Sequence, residues 1–310
     1  LKTAALNHLD LYVLGGMPGI PIGLPHIGGA DGAGVVDAVG AGVDSAKVGS
    51  EVVFDPGLSC GRCEYCLGGE QSLCVRFGVL GEHNDGTLAE AVVVAADSLA
   101  PRPSHLSWAE SAAFGLTFLT SWRMLILRGG LRPGETVLIH GIGGGVSLAC
   151  LQLAKLVGAR VIATSRSESK LQRALELGAD ETLIADDQVA RAVRGLTAKR
   201  GADVVVDSVG EATWMQSLKA AAKGGRIVTC GATSGPNPAE EIRLIFWNQL
   251  SIIGSTMGSR DDWRQLVSAV GTHGLRPVVD TEMLLAEGKT AYERLERADQ
   301  FGKIVLTIDG

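Results

Sequence analysis

VLIHGIGGGVSLACLQLAKLVGARVIATSR, residues 137–166, is the stretch that decides the fold. It reads as a strand, a glycine cluster (Gly141 and Gly143 to Gly145), a helix and a second strand. Glycine permits the tight turn and the close backbone approach, and the free N–H groups at a helix N-terminus attract a pyrophosphate. Ser147 stands where a third glycine often sits and is small enough to keep helix and sheet close. Outward from this unit the same alternation continues. Candidate strands are 136–140, 160–164, 181–184, 203–207, 226–230 and 250–254, with helical stretches at 146–157, 168–177, 187–198 and 212–222. Six strands joined by helices require right-handed crossovers, so the prediction is an α/β architecture with a doubly wound parallel six-stranded sheet.

The chain on either side reads differently. Residues 1 to about 105 carry short β-type runs, GAGVVDAVG, SEVVFDP and LAEAVVVAAD, punctuated by Gly, Pro and Asp. That predicts a mostly β domain. WAESAAFGLTFLTSWRMLIL, from Trp108, has helical length and periodicity. A helical piece at 289–300 precedes GKIVLTIDG (302–310), a final strand with no helix after it, which is expected to return to the first domain. The boundaries expected are therefore 1–110 completed by 275–310 for the β domain, and 111–274 for the nucleotide-binding domain.

The end of the second strand bears on the choice of cofactor. An acidic residue there would accept from a ribose 2′-hydroxyl, but the chain has Thr164, Ser165, Arg166 and Ser167, with Lys170 one turn later. Arg166 can pair bidentately with a 2′-phosphate while Ser165 donates to it, which favours NADP(H). A solvated helix start that NAD also tolerates is the competing reading.

The length, 310 residues, suits two domains. A net charge of −6 with no concentration of Lys and Arg gives no footprint for nucleic acid or an anionic membrane surface, so a small-molecule substrate is expected. No apolar run approaches the ~20 residues of a membrane span, and no signal peptide is visible, so the expectation is a cytoplasmic protein. The abrupt start at Leu1 predicts that residues precede it. Of six cysteines, Cys150 and Cys230 lie in apolar segments and read as core. The other four, Cys60, Cys63, Cys66 and Cys74, give C-x2-C-x2-C-x7-C. Four thiolates saturate a tetrahedral Zn²⁺ and leave no open position, so such a site is structural. Unligated thiols and an iron–sulfur cluster are the alternatives.

With these motifs stand GADGAGVVDAVGAGV (29–43), LTFLTSW (116–122), GGRIVTCGATSG (224–235) and GKIVL. Together they make the chain similar to the medium-chain dehydrogenase/reductase superfamily, which holds the zinc alcohol dehydrogenases and the quinone oxidoreductases. The resemblance implies a GroES-like β domain with a Rossmann domain inserted in the chain. It implies cofactor contacts from Thr120, Gly143, Gly144, Gly145, Val146 and Gly231, and an edge strand at LSIIGSTM (250–257) that pairs across a homodimer, with a tetramer as the alternative. It also marks a departure. Where the alcohol dehydrogenases hold a catalytic zinc, this chain has Asn7, Ala30 and Leu116, none of them a normal zinc ligand, and only Asp31 keeps a carboxylate. His8 and His83 are the remaining nearby imidazoles.

NHLDLY (7–12) instead resembles the N-x-x-D-x-Y pattern of zinc-free quinone oxidoreductases. By that resemblance Asn7 and Tyr12 are candidates for polarising the substrate oxygen, with Tyr12 able to relay a proton. Asp31, the third candidate, is expected to orient its loop or pair with a cation rather than act as a general acid. Without a metal to stabilise an alkoxide, a quinone or α,β-unsaturated carbonyl, which spreads the incoming charge, suits the site better. The leading expectation is an NADPH-dependent reductase of such substrates, acting in a cleft between the domains. An alcohol or aldehyde dehydrogenase with a non-standard metal site, and a non-enzymatic NADPH-binding sensor, are the alternatives.

Overall fold

Residues 1–16 and 22–308 are described by the structure, a computed structural model; the last two residues of the expected closing strand lie outside this range. The chain forms two compact units, 1–119 with 258–310, and 120–257.

The first unit is built on a six-stranded sheet. Its strands are β1 (Thr3–Ala5), β2 (Asp31–Val35), β3 (Glu51–Phe54), β6 (Leu99–Pro101), β13 (Val279–Leu284) and β14 (Lys303–Thr307), while β4 (Gly57–Leu58) and β5 (Gly78–Val79) pair separately. The order is β13-β14-β1-β2-β3-β6, antiparallel except for β13 and β14. Thr3 lies opposite Thr307, and Ala5 opposite Asp31. Helix α1 (His8–Gly15) follows β1, α2 (Glu64–Leu67) lies among the cysteines, and α3 (Trp108–Ala113) opens on a capping box between Ser107 and Glu110. Leu6, Leu295, Ile304 and Leu306 form an apolar cluster beside β1 and β14.

The second unit carries a parallel sheet in the order β12-β11-β10-β7-β8-β9. These are β7 (Thr136–Ile139), β8 (Arg160–Ser165), β9 (Glu181–Ile184), β10 (Ala202–Val206), β11 (Ala221–Thr229) and β12 (Ser251–Gly254). Strand order reverses beside β7, the arrangement of a doubly wound sheet. Val137, Leu138, Ile139, Val204 and Val205 are wholly buried, as expected of strands covered on both faces. Between them run α5 (Gly145–Val157), α6 (Glu168–Glu176), α7 (Val189–Leu196), α8 (Trp214–Ala220) and α9 (Ile242–Asn248). Gly158, in the left-handed region at φ 85°, ends α5 and lets the chain turn into β8.

Three sequence expectations change in detail. LAEAVVVAAD (88–97) is not a strand: residues 91–97 alternate exposed and half-buried, but no neighbouring backbone among the described residues pairs with them. The long helix from Trp108 is broken at Phe114, resumes as α4 (Gly115–Trp122) and widens into a π-helix over Arg123–Arg128. The unit boundaries fall at 119/120 and 257/258 rather than at 110/111 and 274/275. Helix α10 (Arg260–His273) belongs with the first unit because Trp263 stacks on Phe114 at 5.3 Å and Arg260 pairs with buried Asp55. The helical piece expected at 289–300 is α11 (Gly288–Glu296). No helix among the described residues is long and apolar enough to cross a membrane.

Candidate functional site

In the second unit the glycine cluster forms the turn between β7 and α5. Gly141 (φ 69°) and Gly143 (φ 119°) occupy backbone space that side chains rarely enter, and Gly144 starts α5 without a side-chain cap. The Ser147 hydroxyl lies 3.0 Å from the Gly141 carbonyl and 2.9 Å from that of Gly144, bracing the turn from inside. The N–H groups of Gly145, Val146 and Ser147 open the helix, the usual cradle for a phosphate. Ile142 N donates to Thr164 O at 2.7 Å, tying this turn to the end of β8.

That end of β8 carries Ser165, buried, and Arg166, exposed. Ser167 caps α6, accepting from Lys170 N. Ser165 Oγ accepts from Ser167 N at 3.2 Å. His140, buried beside this edge, shares a 3.2 Å hydrogen bond with the Thr164 hydroxyl. Thr120 is buried with its hydroxyl 3.5 Å from Met257 Sδ, and Gly231 follows β11 with its carbonyl 3.2 Å from the Thr229 hydroxyl.

In the first unit the four cysteine sulfurs lie within 4.8 Å of one another. A tetrahedron of Zn–S bonds near 2.3 Å sets S···S at ~3.8 Å, close to the 3.5 Å (Cys63–Cys66) and 4.0 Å (Cys60–Cys66) found. Gly61 (φ 70°) and Gly69 (φ 83°) turn the chain between ligands. Cys74 Sγ accepts from the amides of Cys60 and Arg76 at 3.2 and 3.3 Å. The backbone amides of Arg62 and Cys63 bring the Cys60 thiol down to about 6, while burial and neighbouring thiols push Cys66 up to about 11. The donor set and spacing fit a tetrathiolate zinc with no vacant coordination position. Cys150 and Cys230 are kept protonated by burial, both pushed up to about 12.

The three catalytic candidates part company. Asn7 and Asp31 are buried together, and a residue that sequence reading missed joins them. Lys303, 4% exposed, places its ammonium 2.5 Å from Asn7 Oδ1 and 2.9 Å from Asp31 Oδ2. Asn7 Nδ2 donates to the same Asp31 oxygen at 2.9 Å, closing a ring of three side chains. Asp31 Oδ1 accepts from Leu116 N at 2.6 Å, and a Cβ at position 115 would lie 2.6 Å from that oxygen, so glycine is needed there. The Asn7 amide is thus spent inside the unit rather than presented outward. Tyr12 is on the surface, 39% exposed, edge-on to His8 with centroids 4.9 Å apart. Burial of part of its ring raises its phenol, which stays protonated at neutral pH. His83 accepts from Val79 N at 3.2 Å, a loop contact. Among the described residues the four cysteines are the single group of three or more potential ligand atoms that converges. The signal for Lys303 was available: a lone charge opening the apolar run KIVL must either reach solvent or find a buried partner.

Asp10 completes the cluster. Buried, it accepts from Asn7 N at 2.7 Å and Gly29 N at 3.0 Å, yet burial raises it from 3.8 to about 6. Because the folded state holds this proton more tightly than the unfolded chain, its contribution to stability falls as pH rises from about 4 to 6, then levels. The stability difference between the wild type and Asp10→Asn is expected to shrink by roughly 3 kcal/mol across that window. Urea unfolding at pH 4 and 6.5 measures it; a constant difference would refute the assignment.

Comparison with known proteins agrees with this layout. Residues 1–104 match the alcohol dehydrogenase GroES-like domain, and residues 145–272 match the zinc-binding dehydrogenase family. An alcohol dehydrogenase of Geobacillus stearothermophilus is 32% identical across 100% of this chain and 91% of its own length. The chain belongs to the superfamily of zinc-type alcohol dehydrogenases and quinone oxidoreductases. A quinone oxidoreductase of Pseudomonas aeruginosa is 31% identical, aligned over 98% of this chain and 89% of that one. The crystal structure of an NAD-dependent alcohol dehydrogenase superposes with a TM-score of 0.94 at 49% identity, covering 100% of this chain and 90% of that one. As a superfamily member the protein is an NAD(P)-dependent oxidoreductase acting on a small molecule.

Proposed function

We propose that the protein reduces quinones or α,β-unsaturated carbonyls with NADPH, without a metal at the reacting oxygen. The observation that carries this reading is the ring of Asn7, Asp31 and Lys303. At the positions where a catalytic metal would need three ligands, the chain supplies a carboxamide, the methyl of Ala30 and the side chain of Leu116, and its remaining carboxylate is neutralised by an ammonium. A conjugated acceptor tolerates such a site because the incoming charge is delocalised, so hydrogen bonding and positioning suffice. Bound NADPH supplies the hydride. The N–H groups of Gly145 and Val146, with Gly143 and Gly144 in the turn, hold its pyrophosphate. Ser165, Arg166 and Lys170 take the 2′-phosphate, and Thr120 and Gly231 line the nicotinamide half. Tyr12, protonated and accessible, donates a hydrogen bond or a proton to the substrate oxygen. The cysteine lobe holds one structural zinc, and β12, an edge strand with Ser251 and Ile252 exposed, supports pairing with a second copy.

The second reading, an NAD-dependent alcohol dehydrogenase, is favoured by the likeness to the NAD-dependent alcohol dehydrogenase structure at 49% identity. Steady-state assays with NADPH and NADH against quinones, enones and primary and secondary alcohols decide between them. Preferential oxidation of alcohols with NAD⁺ would overturn the reductase. Arg166→Asp is expected to lower kcat/KM for NADPH about 100-fold and to favour NADH, the loss of one bidentate charged contact; an unchanged ratio would sink the 2′-phosphate assignment. Metal analysis of the desalted protein is expected to give one zinc per chain, lost in Cys74→Ser. Two zincs would reveal a second ligand set and return the lead to the alcohol dehydrogenase reading.

A further inference from the structure

We propose that Lys303 is a positioning residue for the reaction: its buried ammonium pins the start of α1 and so fixes where Tyr12 stands. The inference rests on the reductase reading for what Tyr12 does, but the geometry lies wholly within the first unit. Asn7 is the residue that starts α1, and it is held in two ways. Its backbone N–H donates to Asp10 Oδ2 at 2.7 Å, so the third helical residue reaches back to grip the helix entrance. Its side chain is turned inward, with Oδ1 on the Lys303 ammonium and Nδ2 on Asp31.

An amide held between a cation and an anion has one permitted orientation, because reversing it would set Nδ2 against the ammonium and Oδ1 against the carboxylate. The anchor is itself immobile. Lys303 opens β14, whose backbone pairs with both β1 and β13, and Ile304 O accepts from Leu6 N beside Asn7. Asp31 opens β2 and is fixed a second time by Leu116 N. The strands thus deliver a rigid charge pair to one end of a helix of 8 residues, whose other ties are Asp10 on Gly29 N at 3.0 Å and Leu11 against the Leu6 cluster. Asp10 is its one buried residue, and Tyr12, Leu14, Gly15 and Gly16 are exposed. A short helix secured in its first turns transmits a shift at Asn7 to the side chains beyond, and displacements of about 1 Å can cost about 100-fold in rate.

The test separates positioning from mere support of the fold. Lys303→Met leaves Asp31 without its counter-charge and will unfold more readily, so the informative variant is Lys303→Met/Asp31→Asn, which removes both charges. There the ammonium on Asn7 Oδ1 is gone and the amide at position 31, held by Leu116 N, turns its NH2 toward Asn7, so the Asn7 side chain loses both partners of its native orientation and keeps only the 3.5 Å contact of Nδ2 with Ala5 O. The double variant is expected to recover most of the thermal midpoint while kcat for enone or quinone reduction remains about 100-fold down and KM for NADPH stays within about twofold. Recovery of kcat together with stability would overturn the proposal. Amide exchange supplies a readout that needs no substrate: α1 amides should exchange at least about tenfold faster in the double variant, with β1 and β14 unchanged. Unaltered α1 exchange would refute the positioning role even if the wild type reduced no enone or quinone, an outcome that would count against the reductase reading alone.

Discussion

Lys303→Met is expected to destabilise the first unit by about 3–5 kcal/mol, the penalty for stranding one member of a buried ion pair. Methionine matches the lysine chain in length and apolar character, so packing is retained and the effect reports on charge. Asp31, 1% exposed, would keep Leu116 N and Asn7 Nδ2 but lose its counter-ion. Asp31→Asn alone should be comparably harmful, because Lys303 is then the stranded charge. The two costs should not add: replacing both partners of a buried pair is often near neutral. Thermal unfolding of the four proteins gives the coupling energy. A fall in midpoint of less than about 3 °C for Lys303→Met, under 1 kcal/mol for a unit of this size, would mean that water reaches the site and the pair is solvated.

Gly86→Ala is expected to cost more than about 4 kcal/mol, a magnitude reserved for backbone that cannot yield. A Cβ there would lie 2.1 Å from the Gly29 carbonyl oxygen, 2.5 Å from that of Gly28 and 2.7 Å from Gly81 Cα. All three obstacles are main chain, so no side chain can swing aside. The crossing is held from both directions: Gly86 N donates to Ile27 O, Leu88 N to Gly28 O and Thr87 N to Gly29 O, while the Thr87 hydroxyl reaches Asp31 O. Gly81 is equally constrained: its φ is 78°, and a Cβ there would lie 2.3 Å from Gly29 O. The loop that presents Ala30 and Asp31 is therefore clamped by 81–88. Gly271→Ala is the contrast. It sits inside α10 with nothing within 4 Å of the added carbon, and should stabilise by up to about 1 kcal/mol. Comparable effects at the two positions would contradict the clamp.

What the sequence made legible was local and periodic. Strand 137–139, the glycine turn and α5 lie in one contiguous stretch whose pattern specifies both structure and ligand chemistry, and the cysteine spacing does the same for the zinc lobe. What it hid was long-range. The ring at Asn7 joins residues 24 and 296 positions apart, and no periodicity brings Lys303 to Asn7. For that reason Asn7, read from its motif as facing substrate, is found with its amide turned into the protein, whereas Tyr12 from the same motif is accessible. Helix α10 was placed whole in the nucleotide-binding domain by the expected boundary for a similar reason. Nothing local assigns it: only Trp263 on Phe114 and Arg260 on Asp55 decide which core it joins. The run at 91–95 has the alternation of a strand and yet needs a neighbour's hydrogen bonds, which its own residues cannot supply.

The pairing of Thr3 with Thr307 carries a consequence for biosynthesis. The second unit is one continuous segment, complete once residue 257 has left the ribosome, so it can fold as a unit before the rest of the chain follows. The first sheet has β14 between β13 and β1, so it has a gap until residues 303–307 emerge. Translation therefore leaves β1 open along one edge and Asp31 without its counter-charge while the whole of the second unit is made. A stop codon just ahead of Lys303 would release a chain whose second unit is sound and whose charged centre was never assembled.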